Sequence, residues 1–591
     1  MHSTTSRRTF VKGLAAGGLM AGLGLWRTPV WALASPGHPT VLAGSEFDLF
    51  IDQASVNFTG RQRTALTVNG SLPGPLLRWR EGDTVTLRVK NRLDVPTSIH
   101  WHGILLPSTM DGVPGLSFKG IEPGGVYVYQ FKIKQHGTYW YHSHSGFQEQ
   151  QGVYGPLVID PKSPEPFSYQ RDYVVMLSDW TDEDPVALMK TLKKQSDYYN
   201  LHKPTAGDFV RDVAKQGWSA TAADRLMWAK MKMNPTDLAD VSGETYTYLL
   251  NGQPPGRNWI GLFQAGEKIR LRFINGSAMT YFDVRIPGLK MTVIASDGQP
   301  VQPVSVDEFR IAVAETFDVL VEPAEAAYTL FAQSMDRTGF ARGMLAQQAG
   351  AIASVPPLDP RPWLTMDDMG MGAMAGMGHG DMADMPEMDH SQMTDMSDMA
   401  GMEGMEGMDH GAMAAMPMQS HPTSEQNNPL VDMQAMNPVP KLDDPGIGLR
   451  NNGRRVLTYA DLRSTFEDPD GRDPSRTIEL HLTGHMEKFA WSFNGVKFSD
   501  AEPLQLTYGE RIRLVLVNDT MMSHPIHLHG LWSDLEDENG QFQVRKHTID
   551  MPPGSRRSYR VTADALGRWA YHCHLLYHME MGMFREVRVH E

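Results

Sequence analysis

The sequence is short of cysteine, of positive charge and of long apolar runs. One cysteine in 591 residues excludes an internal disulfide framework. A formal net charge of −15 argues against a nucleic-acid partner, whose phosphates call for a basic surface. No apolar run reaches the roughly 20 residues needed to cross a bilayer, so no membrane span is expected in the mature chain. Histidine is scarce in the middle: of 22 histidines, only His202 falls between residues 161 and 360.

What is abundant is concentrated. Seventeen of the 38 methionines lie between Met366 and Met418, together with eleven acidic residues and no Lys or Arg. That tract carries most of the net charge, and the remainder is close to neutral. At about 150 residues per domain the chain is long enough for three or four domains.

Ser6-Arg7-Arg8-Thr9-Phe10-Val11-Lys12 is a twin-arginine pattern, followed by an apolar run from Leu14 to Leu25 and the small-residue site Ala32-Leu33-Ala34. Residues 1–34 therefore read as a cleaved export signal and the periplasm as the destination. That compartment permits disulfides, so a lone cysteine has another task.

Three segments share a layout. Asn69-Gly70 precedes Gly82-Asp83 and Thr84-Val85-Thr86-Leu87-Arg88-Val89-Lys90-Asn91; Asn251-Gly252 precedes Gly266-Glu267 and a strand ending at Asn275; Asn494-Gly495 precedes Gly509-Glu510 and a strand ending at Asn518. Each is a turn followed by an alternating strand, with Val85, Leu87 and Val89 on one face and Thr84, Thr86 and Arg88 on the other. Repeats this far apart fit tandem β-sandwiches, not a solenoid. The expected fold is all-β: domains over 35–165, 166–355 and 441–591. A helical insert is expected over 184–240, around Val186–Met189 and Ala222–Trp228, and a disordered Met-rich linker over 356–440.

Chance gives about 0.8 His-x-His pairs in a chain of this composition. There are four: His100/His102, His142/His144, His527/His529 and His572/His574, flanked by His524 and His578, with Cys573 inside the last pair. They sit in the first and third repeats. At the offset where the third repeat reaches His524, the second reaches Tyr281, so the middle domain has the frame without the ligands. Strand residues i and i+2 share a face about 6.6 Å apart while i+1 points the other way. His572 and His574 can thus hold one metal group while Cys573 holds another behind them. Cys573, His524 and His578, with Met583 near, make the His₂Cys plus weak Met set of an electron-transfer copper. Eight histidines remain, four from each end of the chain, enough for a three-metal cluster between the first and third domains. Structural zinc prefers Cys-rich sets and catalytic zinc needs three ligands, so copper fits better.

These motifs resemble the four copper signatures of the multicopper oxidases, and the signal and Met-rich tract resemble the copper-resistance branch of that family. The resemblance implies three cupredoxin-like domains and four copper ions. His524, Cys573, His578 and axial Met583 would hold type 1 copper, and His100 and His529 type 2. His102, His142 and His574 would hold one type 3 copper, and His144, His527 and His572 the other. Asp111 matches an acidic residue near the cluster that delivers protons, against a plain turn residue in Met110-Asp111-Gly112. Glu580, one position after the place where some relatives have a glutamate on the proton path, is the candidate for that role here.

Thioethers select Cu(I), and Met-x-x-Met spacing recurs, as in Met382-Ala383-Asp384-Met385. The tract is expected to gather additional weakly bound Cu(I). Met522 reads as a core methionine before a copper ligand, against an entry ligand, and His481, His485 and Met486 as surface residues, against another candidate patch. The resulting expectation is a periplasmic oxidase passing electrons from Cu(I), and from phenols as a further donor class, to O₂. Other periplasmic copper-handling proteins are expected partners. The alternatives are a copper-sequestering protein and a laccase-like phenol oxidase.

Overall fold

The computed structural model describes residues 40–371 and 419–591; residues 1–39, with the expected export signal over 1–34, and 372–418, with most of the expected Met-rich linker, lie outside the described residues. Three two-sheet units follow one another. The first pairs a five-stranded with a four-stranded sheet, and the second and third each pair a six-stranded with a five-stranded sheet. Domains two and three thus share one strand inventory, as their common sequence layout requires.

The repeat is also a repeat of contacts. In each unit the alternating strand pairs in parallel with an earlier one: Leu87 opposite Phe47, Leu271 opposite Tyr173, Leu514 opposite Ile478. Asn69, Asn251 and Asn494 take positive φ with the glycine after each, the geometry of a tight hairpin turn. Their side-chain oxygens accept from the backbone N–H of Phe50, Met176 and His481. The strand-ending asparagines donate to two carbonyls each: Asn91 to Val95 and Ile121, Asn275 to Thr280 and Ile311, Asn518 to Met522 and Met551. In domains two and three the first of these bonds pins the loop that leads to Tyr281 and to His524. Thr86, expected outward, is buried because Gln130 donates to its hydroxyl.

The insert forms three helices, Pro185–Lys194, Ala206–Gln216 and Trp218–Met231. The middle one was not expected. Its start is marked by a reciprocal cap between Thr205 and Asp208. No helix among the described residues is long and apolar enough to cross a membrane.

The flanks of the expected linker correct its extent. Leu364, Met366, Met369 and Met371 on one side and Met433 and Ala435 on the other are buried in the main core. Lys441 Nζ donates to the carbonyls of Asp368 and Pro553, which ties the first flank to domain three. Composition hid this, because thioethers spaced without helical or strand period can still fill irregular gaps in a core.

Candidate metal centres

The strand Gly567–Cys573 lies in the middle of its sheet, between His524–Leu528 and Phe584–His590. Alternation then sends neighbouring side chains to opposite sides, as the strand period demands. Cys573 Sγ lies 3.5 Å from His524 Nδ1 and 3.9 Å from His578 Nδ1, and the two imidazole nitrogens are 3.1 Å apart. A point in that triangle is about 2 Å from all three, the length of a metal–imidazole bond. Burial pushes the Cys573 thiol well up, so a cation is needed to hold it as thiolate. Met583 is fully buried, and its backbone carbonyl accepts from Cys573 N–H at 3.1 Å. Met522 is a buried core residue, as expected.

On the other side, His572 Nε2 faces His144 Nε2 at 3.3 Å and His529 Nε2 at 3.0 Å, while His574 Nε2 faces His142 Nε2 at 3.3 Å. His100 stacks on His529 with ring centroids 3.9 Å apart, and His102 on His527 at 3.8 Å. Histidines from the two ends of the chain therefore converge, and domain two contributes none.

The ring nitrogens show that the set fits metal. His529 Nδ1 donates to Asp111 Oδ2 at 2.8 Å and His572 Nδ1 to the Cys573 carbonyl at 2.9 Å. Their Nε2 atoms are then bare lone pairs 3.0 Å apart, an arrangement that repels unless a cation lies between. His100 Nε2, His102 Nδ1 and His527 Nε2 are buried with no hydrogen-bond partner. Burial, reinforced by the neighbouring imidazoles, holds His102, His142, His144, His527, His529 and His574 well below the usual histidine range, in the neutral form that binds metal.

Asp111 is buried among these rings and is not a plain turn residue. Its carbonyl accepts from His100 Nδ1 at 2.8 Å while its carboxylate holds His529. Gly112 makes this close approach feasible: at φ 80° a Cβ there would sit 1.8 Å from the Ile99 carbonyl oxygen. Glu580 is not at the cluster. It is exposed at the end of the helix Leu576–Glu580, two residues past His578 and so about 200° around the helix from it.

Three residues were missed. Glu149 Oε2 lies 2.7 Å from His142 Nδ1, and Asp240 Oδ2 lies 2.6 Å from His578 Nε2, all four groups buried. His547 Nδ1 lies 3.2 Å from His102 Nε2. None sits in a repeated motif that would have marked it. His481, His485 and Met486, expected at the surface, are buried.

Comparison with known proteins agrees with this arrangement. Multicopper oxidase family profiles match residues 51–164, 171–350 and 471–591. The chain is 74% identical to copper resistance protein A of Pseudomonas syringae pv. tomato over the whole of both chains, and 70% identical to copper resistance protein A of Escherichia coli over 99% of both. Its fold is similar to that of Fet3p, a multicopper oxidase that functions in iron import, with a TM-score of 0.62 at 16% identity over 93% of this chain and 90% of that one. It is also similar to a laccase from Botrytis aclada, with a TM-score of 0.58 at 20% identity over 95% and 89%. Each of the three repeats meets the family pattern and full-length relatives lie near three-quarters identity, so the chain belongs to the multicopper oxidases, which are copper-dependent oxidoreductases.

Proposed function

We propose that the chain is a periplasmic cuprous oxidase serving copper resistance, reached by twin-arginine export, with Cu(I) as electron donor and O₂ as acceptor. The names of its full-length relatives support the resistance role. Cys573, His524 and His578, with Met583 axial, would hold the type 1 copper. The resemblance puts His529 on type 2 and His527 on type 3 copper, but His529 Nε2 meets His572 Nε2 at 3.0 Å beside His144, so His144, His529 and His572 would hold one type 3 ion, His102, His142 and His574 the other, and His100 and His527 the type 2 ion. When bound, these four coppers supply storage for the four electrons that turn O₂ into two waters.

The protein's own residues do the rest. Cys573 is joined by its backbone to His572 and His574, which gives a short covalent route between the two centres. Asp111 fixes the rings of His100 and His529, and Glu149 that of His142, so each turns one defined nitrogen inward. Asp111 and Glu149 are also the buried carboxylates nearest the cluster and the groups able to hold a proton there.

The observation that carries the donor assignment is the Asp240–His578 contact. Asp240 lines a cavity with Asp237 and Asp336, and its carboxylate touches the outer nitrogen of a ligand to the electron-accepting site. Burial raises all three carboxyls, Asp240 to about 8, so an entering cation would take the place of their protons, a gain that a neutral phenol does not bring. Soft thioethers in the Met-rich tract would gather Cu(I) and raise its local concentration. The test is O₂ uptake with Cu(I) and with a phenol for the wild type and Asp237→Asn, which lines the cavity without touching His578. A fall in kcat/KM of about tenfold for Cu(I), with phenol turnover retained, is expected. Equal losses on both donors, or a wild type that prefers the phenol, would overturn the assignment.

A further inference from the structure

Among the described residues outside the two centres, a further set of side chains is built like a metal site. His421 follows the Met-rich tract, Glu425 closes the short turn Thr423–Glu425, His481 lies on the strand Arg476–His485, and Asp519 follows the strand Arg511–Asn518. His421 Nδ1 is 3.2 Å from Asp519 Oδ2 and 3.3 Å from Glu425 Oε2, and His481 Nδ1 is 2.6 Å from Asp519 Oδ2 and 3.7 Å from Glu425 Oε1. Four donors about 2 Å from one ion at tetrahedral angles stand about 3.3 Å apart; among the inward atoms His421 Nδ1, His481 Nδ1, Asp519 Oδ2 and Glu425 Oε1, the distances of 3.2 and 3.7 Å lie on either side of that spacing. The short contact of 2.6 Å between His481 and Asp519 is the one a shared proton would draw in.

The outer atoms of the set are all occupied. His421 Nε2 donates to the Ala435 carbonyl at 3.2 Å and His481 Nε2 to Glu479 at 3.2 Å, which leaves each Nδ1 facing inward. Asp519 Oδ1 accepts from Ala435 N–H, and Glu425 Oε2 from Gln434. Metal-binding histidines are tethered in this way, by the nitrogen opposite the metal. The inner oxygen Glu425 Oε1 is left with no hydrogen-bond partner although Glu425 is 97% buried, as its 3% exposure shows. Two carboxylates in so dry a place need compensating positive charge. Without a cation the imidazoles supply it: burial opposes the charged form, but the bonds to and charges of Asp519 and Glu425 outweigh it and raise His421 to about 10.

We propose that His421, Glu425, His481 and Asp519 form a further metal site, for a divalent ion that takes nitrogen and oxygen donors. This donor set has no sulfur and so suits Cu(II) or Zn(II), whereas the thioethers that precede it in the chain suit Cu(I). Asp519 adjoins Thr520, whose hydroxyl lies 2.7 Å from His524 Nε2, so the site is beside the electron-accepting centre. Cu(II) is the natural occupant if the chain oxidises Cu(I). That identity rests on the proposed function, but the site itself does not.

Zn(II) tests the site without any redox step. Full-length protein holding copper at the two centres, its more loosely bound copper removed by mild chelation, is dialysed against Zn(II), and bound zinc is counted for the wild type, Glu425→Gln and His481→Gln, with the blue colour and far-UV circular dichroism as checks on folding. The wild type should hold one zinc more than either variant, and zinc should raise its thermal midpoint but not theirs. Equal zinc in all three proteins, with the variants only less stable, would mean that the cluster is an ion-pair lock and the site does not exist. Should the variants fail to fold, anomalous scattering from a zinc-soaked wild-type crystal decides: a peak among the four side chains supports the site, and none there overturns it.

Discussion

The Asp111 carboxylate reaches 2.8 Å from Nδ1 of His529, a residue 418 positions away in the chain, while its own carbonyl holds His100. One residue thus sets the ring orientation of two histidines from different domains. Asp111→Asn keeps the size and removes the charge. Steady-state O₂ consumption should fall about tenfold to a hundredfold, the usual cost of losing such a partner, with the blue colour unchanged. Loss of the colour as well would place Asp111 in a general structural role.

Glu149 does the same for His142 on the type 3 side. Burial pushes the Glu149 carboxyl well up, and in Glu149→Gln an amide that cannot exchange a proton with the ring takes its place. Copper analysis after mild chelation should show faster loss from the cluster than in the wild type, while the Cys573 centre keeps its metal.

Cys573→Ser replaces the only thiol by a hydroxyl of similar volume. Oxidase turnover and the blue colour should both vanish while the thermal midpoint of the copper-free protein shifts little. A retained blue band would remove Cys573 from the centre.

The packing of Met366, Met369 and Met371 defines where the Met-rich tract can be cut without opening the core. Deleting 372–418 should leave folding and phenol turnover intact and lower the rate only at scarce Cu(I). An unchanged rate at low Cu(I) would end the capture role assigned to the tract.

Lys441 gives a pH signature. Burial lowers its ammonium to about 8, below the usual lysine value of 10.5, so between those limits the unfolded chain binds more protons than the folded one. Stability from this residue therefore rises as pH climbs from about 8 to 10.5. The difference in thermal midpoint between the wild type and Lys441→Met should move in favour of the wild type across that window and stay flat below it.

Much of this was legible in the sequence because it is local. The alternation of Val85, Leu87 and Val89 specifies a strand within a few residues, and four His-x-His pairs specify side chains that share a face. Those two facts gave three β-sandwiches and eleven of the converging residues. Asp240 and Glu149 were not legible, since a single carboxylate carries no periodic mark and becomes significant only when folding brings His578 or His142 against it. Glu580 was misplaced for a geometrical reason: the chain turns helical at Leu576, so an offset of one position rotates a side chain by about 100°. His481 was taken for a surface residue because histidine is polar, and only Asp519 and Glu425, distant in sequence, make its burial affordable.

The convergence of imidazoles from opposite ends of the chain bears on biosynthesis. A nascent polypeptide that has emerged as far as domain two owns only half of the cluster, and no full ligand set exists until the last strands are made. Loading of that centre would thus report that domain three has been made and has docked on domain one, and a metal bound there would act as a staple whose removal should loosen the first domain from the third.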